Sequence, residues 1–446
     1  MNTNLESFPS KPTFKEALWF WFKLGFISFG GPGGQIGIMH QFLVEQKKWI
    51  SESKFLHALN YCMLLPGPEA QQMATYTGWL LHGTWGGLAA GILFVLPSMF
   101  ILLILSVVYV VLGKLAWVAA MFYGLKPAVV AIVILALLKI SQKSLLSNFH
   151  YVVAALSFVG IFFLNIPFPL IILGAIALGF LVQRFLPQFL IIKGDKNKTE
   201  AEERSYYLNK YSEIPYVGFR LVRLLKQIAI TLILWFLPLL IFYYFTADFA
   251  FWQTLIVFFT QAALVTFGGA YSVLPYVAQF SVEKLHWLSK TQMIDGLALG
   301  ETTPGPLIMV LVFVGFLAGY NHFEGSILYG TLGLLATTFY TFLPCFLFIF
   351  AGAPIIEKTQ HNQKIKGVLA IVTAAVVGVV LNLTVYFAQV VIFPNGLIFN
   401  QIDFISLLWA IVSVLAMHRF KIGMITWIGV SAVFGLVQFG LKIWLL

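Results

Sequence analysis

The chain has 446 residues, of which 60% are hydrophobic and only 10% charged, and its mean hydropathy is +0.91. Such a composition excludes a soluble globular domain and leaves a polytopic membrane protein, so the net charge of +10 is a matter of membrane topology and not of nucleic acid. Cys62 and Cys345 both fall in apolar stretches with no second cysteine or histidine at metal-ligand spacing, so they read as small buried hydrophobes, and neither a metal site nor a cofactor is implied.

The first fifteen residues are polar and hold Lys11, Lys15 and two prolines, and no small-residue cleavage site follows the first apolar run, so no removable leader is expected. Spanning segments are then predicted near 15–38, 56–81, 87–111, 116–140, 151–166, 168–184, 227–245, 251–270, 291–319, 326–350, 367–388, 401–417 and 423–445, about 13 in all. With a cytoplasmic N-terminus, the inner loops collect Lys11, Lys15, Lys23, Lys139, Lys143, Arg184, the basic stretch from Lys193 to Lys226, Lys284, Lys290, Lys358, Lys364, Lys366, Arg419 and Lys421. Only Lys47, Lys48, Lys54, Lys114 and Lys442 are left outside, which by the positive-inside rule favours this orientation. Between Arg184 and the seventh segment, "KGDKNKTEAEER" reads as a charged loop, and "YVGFRLVRLLKQ" spaces Arg220, Arg223 and Lys226 as an interfacial helix would.

The chain repeats itself. An offset of 238 residues places Phe29-Gly30-Gly31 on Phe267-Gly268-Gly269, Trp49 on Trp287 and Pro66-Gly67-Pro68 on Pro304-Gly305-Pro306 without a gap. Gln41, Phe42, Val44, Glu45, Ser51 and Leu59 recur at the same offset, a match that shared composition does not produce. Because one unpaired segment, near 227–245, separates two halves of about six segments each, the second copy is expected to enter the membrane from the opposite side. The fold expected is therefore all-α, with inverted-topology repeats over 1–186 and 251–446 and a basic linker plus unpaired segment over 187–250.

Glycine and proline runs are poor helix material, costing about 1 and 3 kcal/mol per position, so their backbone must have a use inside a bilayer. Each half has two such breaks: Gly30, Gly31, Pro32, Gly33, Gly34 and Pro66, Gly67, Pro68 in the first, Gly268, Gly269 and Pro304, Gly305, Pro306 in the second. A break that exposes N–H groups and starts a new half-helix makes an anion site without a fixed positive side chain. Ser28, Gln35, Gln71, Gln72, Thr75, Thr266, Tyr271, Ser272, Thr302 and Thr303 surround these breaks and supply donors, although the plain reading of any one hydroxyl is a bond back to its own helix.

"FGGPGGQIGIMHQFLVEQKKWIS" followed by "LLPGPEAQQMATYTGWLLHG" and "FVLPSMF" resembles the first half of the chromate ion transporter family, and "TFGGAYSVLPYVAQFSVEKLHWLS" with "DGLALGETTPGPLIMVLVFVGF" resembles its second half. The resemblance implies a long-chain, two-domain member, a multi-pass carrier of the bacterial inner membrane that exports chromate and confers resistance, with sulfate as a competing substrate. Residues matching the family motifs are Phe29, Gly30, Gly31, Pro32, Gln35, Trp49, Pro66, Gly67, Pro68, Glu69 and Gln72, then Gly268, Gly269, Trp287, Gly300, Pro304, Gly305 and Pro306. Glu301 departs from the pattern, where an uncharged Gln is expected.

Ionisable groups within the bilayer each need an account. Glu69 follows its Pro-Gly-Pro and complements a helix start or gates a proton; Glu301 precedes its own and is the stronger candidate for coupling. Lys126, beside Pro127, neutralises a dianion, pairs with Glu69 or snorkels. His40, His57 and Asp295 read as interfacial, and Trp49 and Trp287 as interface anchors. No nucleotide loop, zinc motif or nucleophile pair appears, so an enzyme is not expected. Rival readings are a sulfate-like oxyanion importer using proton symport and a membrane scaffold or sensor without flux. Expected partners are the oxyanion, protons and the lipid bilayer, with a homodimer left open.

Overall fold

The computed structural model describes residues 11–29, 31–63, 65–185, 203, 205–209, 212, 220–246, 248–267, 269–356, 363–394 and 401–445. Gly30, Gly268 and most of the charged linker lie outside the described residues. Those described are helical, apart from loops and one isolated bridge between Ile50 and Leu208. The first half comprises α1 (Phe14–Ile27), α2 (Gly31–His40, continued by a π turn over Gln41–Gln46), α3 (Glu52–Cys62), α4 (Glu69–Leu112), α5 (Ala116–Ser144), α6 (Asn148–Phe162) and α7 (Phe168–Phe185). After α8 (Leu221–Phe245) come α9 (Phe249–Val265), α10 (Leu274–Gln279, continued by a π turn over Phe280–Lys284), α11 (Lys290–Thr302), α12 (Val310–His322, preceded by a 3-10 turn over Leu307–Met309), α13 (Ile327–Ile356), α14 (Gln363–Ile392), α15 (Phe404–His418) and α16 (Met424–Leu445). Seven of these are long and apolar enough to cross a membrane, and four apolar helices are shorter. The protein is an all-α polytopic membrane protein.

Caps and turns explain the helix ends. Thr13 and Ser51 accept from the Glu16 and Lys54 backbone N–H groups, and Ser289 forms a capping box with Gln292. α4 is two arms: His82 and Gly83 leave helical geometry, with Gly83 at φ +65°, and the chain reverses there. The arms pack closely because Gly78 lies against the backbone of Gly86, and Gly87 against that of Thr75.

Before each long helix the chain doubles back twice. α1 and α2 form a hairpin whose base is closed by Lys47 Nζ and Glu16 Oε1 at 2.8 Å. The hairpin of α3 and the first arm of α4 returns to the same end, since His82 Nε2 meets the Pro12 carbonyl at 2.9 Å. In the second half, α9–α10 and α11–α12 share a base where His322 Nε2 reaches Asp248 Oδ2 at 2.7 Å and Asn321 donates to the Trp287 carbonyl at 2.7 Å. Matching rings pack each base: Phe20, Phe42 and Trp49 in one, Phe258, Phe280 and Trp287 in the other. The two bases lie at opposite ends of the molecule. The second arm of α4 leaves the first base at His82, and its Tyr109 donates to Asp295, one turn into α11 from the second base, at 2.9 Å.

Four expectations change accordingly. Lys47 and Lys48 sit at the N-terminal end, where the Lys48 carbonyl accepts from Tyr207 N at 3.1 Å and Ser51 N donates to the Leu208 carbonyl at 2.8 Å, and Lys54, in the first turn of α3, lies there too. Lys284 and Lys290 instead belong to the Trp287 base at the far end. Apolar runs at 15–38, 56–81, 251–270 and 291–319 conceal hairpin turns, and since each half holds two of them the direction of every later helix is unaffected. Trp49 and Trp287 are 4% and 6% exposed and pack as core residues, not as interface anchors. Arg220 immediately precedes α8 in extended backbone, so the expected interfacial helix is the first turns of a spanning one.

Packing follows the repeat. α5 contacts α14, α15 and α16, while α14 contacts α5, α6 and α7; α1 packs on α4 as α9 packs on α13. α8 is peripheral, with 6% of its most apolar stretch buried, as befits a lipid-facing helix.

Candidate functional site

The tips of the four hairpins meet. Gly305 N donates to the Ser28 carbonyl at 2.8 Å, and Gly67 N donates to the Thr266 carbonyl at 2.7 Å. The 238-residue offset converts one bond into the other, so the same interface is made twice with the halves exchanged. Left-handed glycines make both possible, with Gly67 at φ +125° and Gly305 at φ +100°. A side chain at Gly305 would strike Ser98, and one at Gly67 would approach Cys345 Sγ and Gln72 Nε2 to 2.7 Å. The flanking prolines Pro66, Pro68, Pro304 and Pro306 withdraw donors from these turns and set extended backbone before the next helix.

Gln35, buried on α2, donates its amide to the Gly305 and Ser28 carbonyls, and Ser98 donates to the Pro304 carbonyl. Gln72 turns back to the Pro66 carbonyl at 2.7 Å, fixing its own break. Thr302 and Thr303 both donate to the Leu299 carbonyl, at 2.8 and 2.7 Å, so these hydroxyls serve their own helix. Ser28 Oγ, Gln35 Oε1 and Gln72 Oε1 remain buried without a hydrogen-bond partner. α2 starts at Gly31, so the N–H groups of Gly31, Gly33 and Gly34 have no acceptor within their helix, and Pro32 has no N–H. Nothing stands within 4 Å of where a side chain on Gly31 would begin, and Glu69 Oε1 is 3.7 Å from the corresponding point on Gly269.

Glu69 opens α4, where its carboxylate complements the helix start. Glu301 is 2% exposed and accepts from the Tyr271 hydroxyl at 2.7 Å, which ties the end of α11 to the break after α9. Lys126 does not reach Glu69: its Nζ lies 3.6 Å from Asp295 Oδ1, so Asp295 is part of a buried charge pair between the halves and not an interfacial residue. His40 does bridge Glu45 and Glu52 at a hairpin base. Ser98 is not among the residues singled out from the sequence and Cys345 reads there only as a small buried hydrophobe, yet each packs on a Pro-Gly-Pro turn of the other half. The signal for them is the pair Leu96-Pro97-Ser98 and Leu343-Pro344-Cys345, one in each half. Among the described residues no cluster of His, Cys, Asp and Glu could hold a metal ion.

Comparison with known proteins matches the chain to one family. Residues 15–180 and 252–436, the two halves without α8, match the family described as Chromate transporter. The chain is 29% identical to a probable chromate transport protein of Synechococcus elongatus over 83% of this chain and 84% of that protein. It is 28% identical to the chromate transport protein of Cupriavidus metallidurans over 92% and 89%, and 29% identical to that of Pseudomonas aeruginosa over 86% and 83%. No solved structure matches. Four helix breaks joined reciprocally at one point thus form the centre of a chain that belongs to the chromate transporter family.

Proposed function

We propose that this protein exports chromate across the bacterial inner membrane as a secondary carrier, with residues 1–186 and 251–446 as inverted repeats and 187–250 as linker and unpaired segment. The observation that carries this reading is the pair of exchanged tip bonds, Gly305 to Ser28 and Gly67 to Thr266, which gathers broken helices from both halves around one point. The two hairpin bases at opposite ends of the molecule support the inversion, because a two-fold relation that exchanges the halves also exchanges those ends. The oxyanion is held by the N–H groups at the start of α2 with the Ser28 hydroxyl as a further donor, while Gln35 and Gln72, whose amides donate to protein carbonyls, and Gly269, Thr302, Thr303, Pro304, Gly305 and Pro306 shape the turns that face it. A membrane potential negative inside drives a dianion outward by about 4.6 kcal/mol at 100 mV, so export needs no further energy source.

A proton-coupled branch is favoured by one observation, the buried Glu301 held by Tyr271. Glu301 then exchanges the proton, Glu69 acts as a gate and Lys126 with Asp295 locks the halves; sulfate is a competing substrate. Everted vesicles holding the reconstituted protein test both readings, with chromate and sulfate in competition and the potential and proton gradient set separately. Chromate accumulation driven by an inside-positive potential alone is the expected result. Uptake that requires a proton gradient in right-side-out vesicles would make the protein an importer.

A further inference from the structure

α5 runs toward the end of the molecule that carries the linker and stops at Ser144. A lysine just over one turn from such an end ordinarily extends to the nearer surface, where its ammonium is hydrated. Lys139 turns the other way. Its Nζ lies 3.0 Å from the point where a side chain on Gly33 would begin, in the first turn of α2 and roughly 20 Å along the hairpin from its base. Side chains on a helix lean toward its N-terminus, and for α5 that direction leads toward the hairpin tips. Gly33 and Gly37 are exposed one turn apart on α2, and nothing stands within 4 Å of where a side chain on Gly37 would begin. Bare backbone therefore borders open space beneath an ammonium that has no ion pair among the described residues. At the same break Ser28 Oγ is buried, its residue 0% exposed, and without a partner, so its hydroxyl is free to donate. Lys143, one turn along α5, stands within coulombic range of Glu69.

The second half is built differently at this position. At the 247-residue offset that carries Leu96-Pro97-Ser98 onto Leu343-Pro344-Cys345, Lys139 corresponds to Tyr386 and Lys143 to Val390. Tyr386 lines a cavity of about 130 Å³ at the opposite end, together with Asn165, Gln279, Glu283, Asn382 and Gln389. The far mouth thus offers amides, a phenol and an exposed carboxylate where the linker mouth offers two ammonium groups.

We propose that Lys139 is a substrate-binding residue that receives a tetrahedral oxyanion at the linker end and holds it against the glycine backbone of α2, and that its replacement by Tyr386 in the second half favours capture at one end and release at the other. This rests on the oxyanion-carrier reading above. The ammonium supplies the charge attraction, and the absence of side chains at Gly33 and Gly37 lets the anion oxygens approach the first-turn N–H groups of α2.

The test measures initial chromate flux against concentration in vesicles of both orientations. Lys139→Gln is expected to raise KM about tenfold for chromate presented at the linker face with kcat little changed, and, as reversibility at a fixed potential requires, to lower kcat/KM from the far face by the same factor, there through kcat with KM unchanged. Lys139→Arg keeps the low KM. Lys139→Cys behaves like Lys139→Gln, is restored by a methanethiosulfonate reagent that adds an aminoethyl group and is not restored by one that adds a sulfonatoethyl group, which separates charge from folding. An unchanged KM in Lys139→Gln, or a loss that neither Arg nor aminoethylation repairs, overturns the proposal while leaving the carrier reading intact. Unmodified protein that carries neither chromate nor sulfate overturns both.

Discussion

Gly305 has the most constrained backbone position at the tips: its φ of +100° is strained for any other residue, and the space where a side chain would go is filled by Ser98. Gly305→Ala is therefore expected to abolish transport and to lower stability by about 1–3 kcal/mol, read as a fall in the unfolding temperature of the detergent-solubilised protein. Adding Ser98→Ala opens the space but not the backbone angle, so it restores stability only in part. Glu301 and Tyr271 separate binding from coupling. Glu301→Gln still accepts from the Tyr271 hydroxyl, so potential-driven efflux should persist while dependence on a pH gradient falls, and loss of the potential-driven flux would move Glu301 into the binding site. Thr302 and Thr303 show why single hydroxyls were hard to read from sequence: nothing in their identity distinguishes a ligand donor from one that bonds to Leu299. Lys126 shows the same limit, because its partner Asp295 lies in the other half, 169 residues away, and only the packing of α5 on α11 brings them together.

The helices and their breaks were legible because apolar length and the Gly-Gly and Pro-Gly-Pro runs have direct backbone meaning. Doubling back was not, since a helix of 14 residues, a turn and a second short helix form an apolar run as long as one membrane span. What distinguishes them is contact between the two ends, as between Lys47 and Glu16, which no local pattern encodes. At the base of the third hairpin, Asp248 is left-handed at φ +52°, accepts from Phe251 N at 3.3 Å and takes a hydrogen bond from His322. That imidazole bond, aided by the Phe251 N–H, holds the carboxyl below its usual range. A carboxyl depressed on folding contributes stability above its unfolded pKa and loses it as pH falls through the folded value, so this contribution is present at neutral pH and disappears in acid below about pH 4. Asp248→Ala should lower stability by about 1 kcal/mol at pH 7 through loss of the cap, with the difference from unmodified protein shrinking as the pH of the melt is lowered toward 3.

At the scale of the whole molecule, the proposed inversion predicts which surface each hairpin base meets. Cysteine at Lys47 should be labelled by an impermeant maleimide only in everted vesicles, and cysteine at His322 only in right-side-out ones; labelling of both from one side would refute the inversion. The repeat was readable because 238 separates one set of markers from the other without a gap, whereas the meeting of the four tips required the fold. The two tip junctions are alike in geometry but unequal in strength. Gly305 and Ser28 are joined by their backbone bond and reinforced by Gln35 on the Gly305 carbonyl and Ser98 on that of Pro304; Gly67 and Thr266 have their backbone bond, and Gln72 adds nothing across it because it bonds within its own turn. At about 1 kcal/mol for each bond, two extra bonds weight the conformational equilibrium by more than tenfold. If the protein cycles as the proposed carrier, that imbalance sets an order of events: the Gly67 junction, held by one bond, is expected to part before the Gly305 junction, held by three.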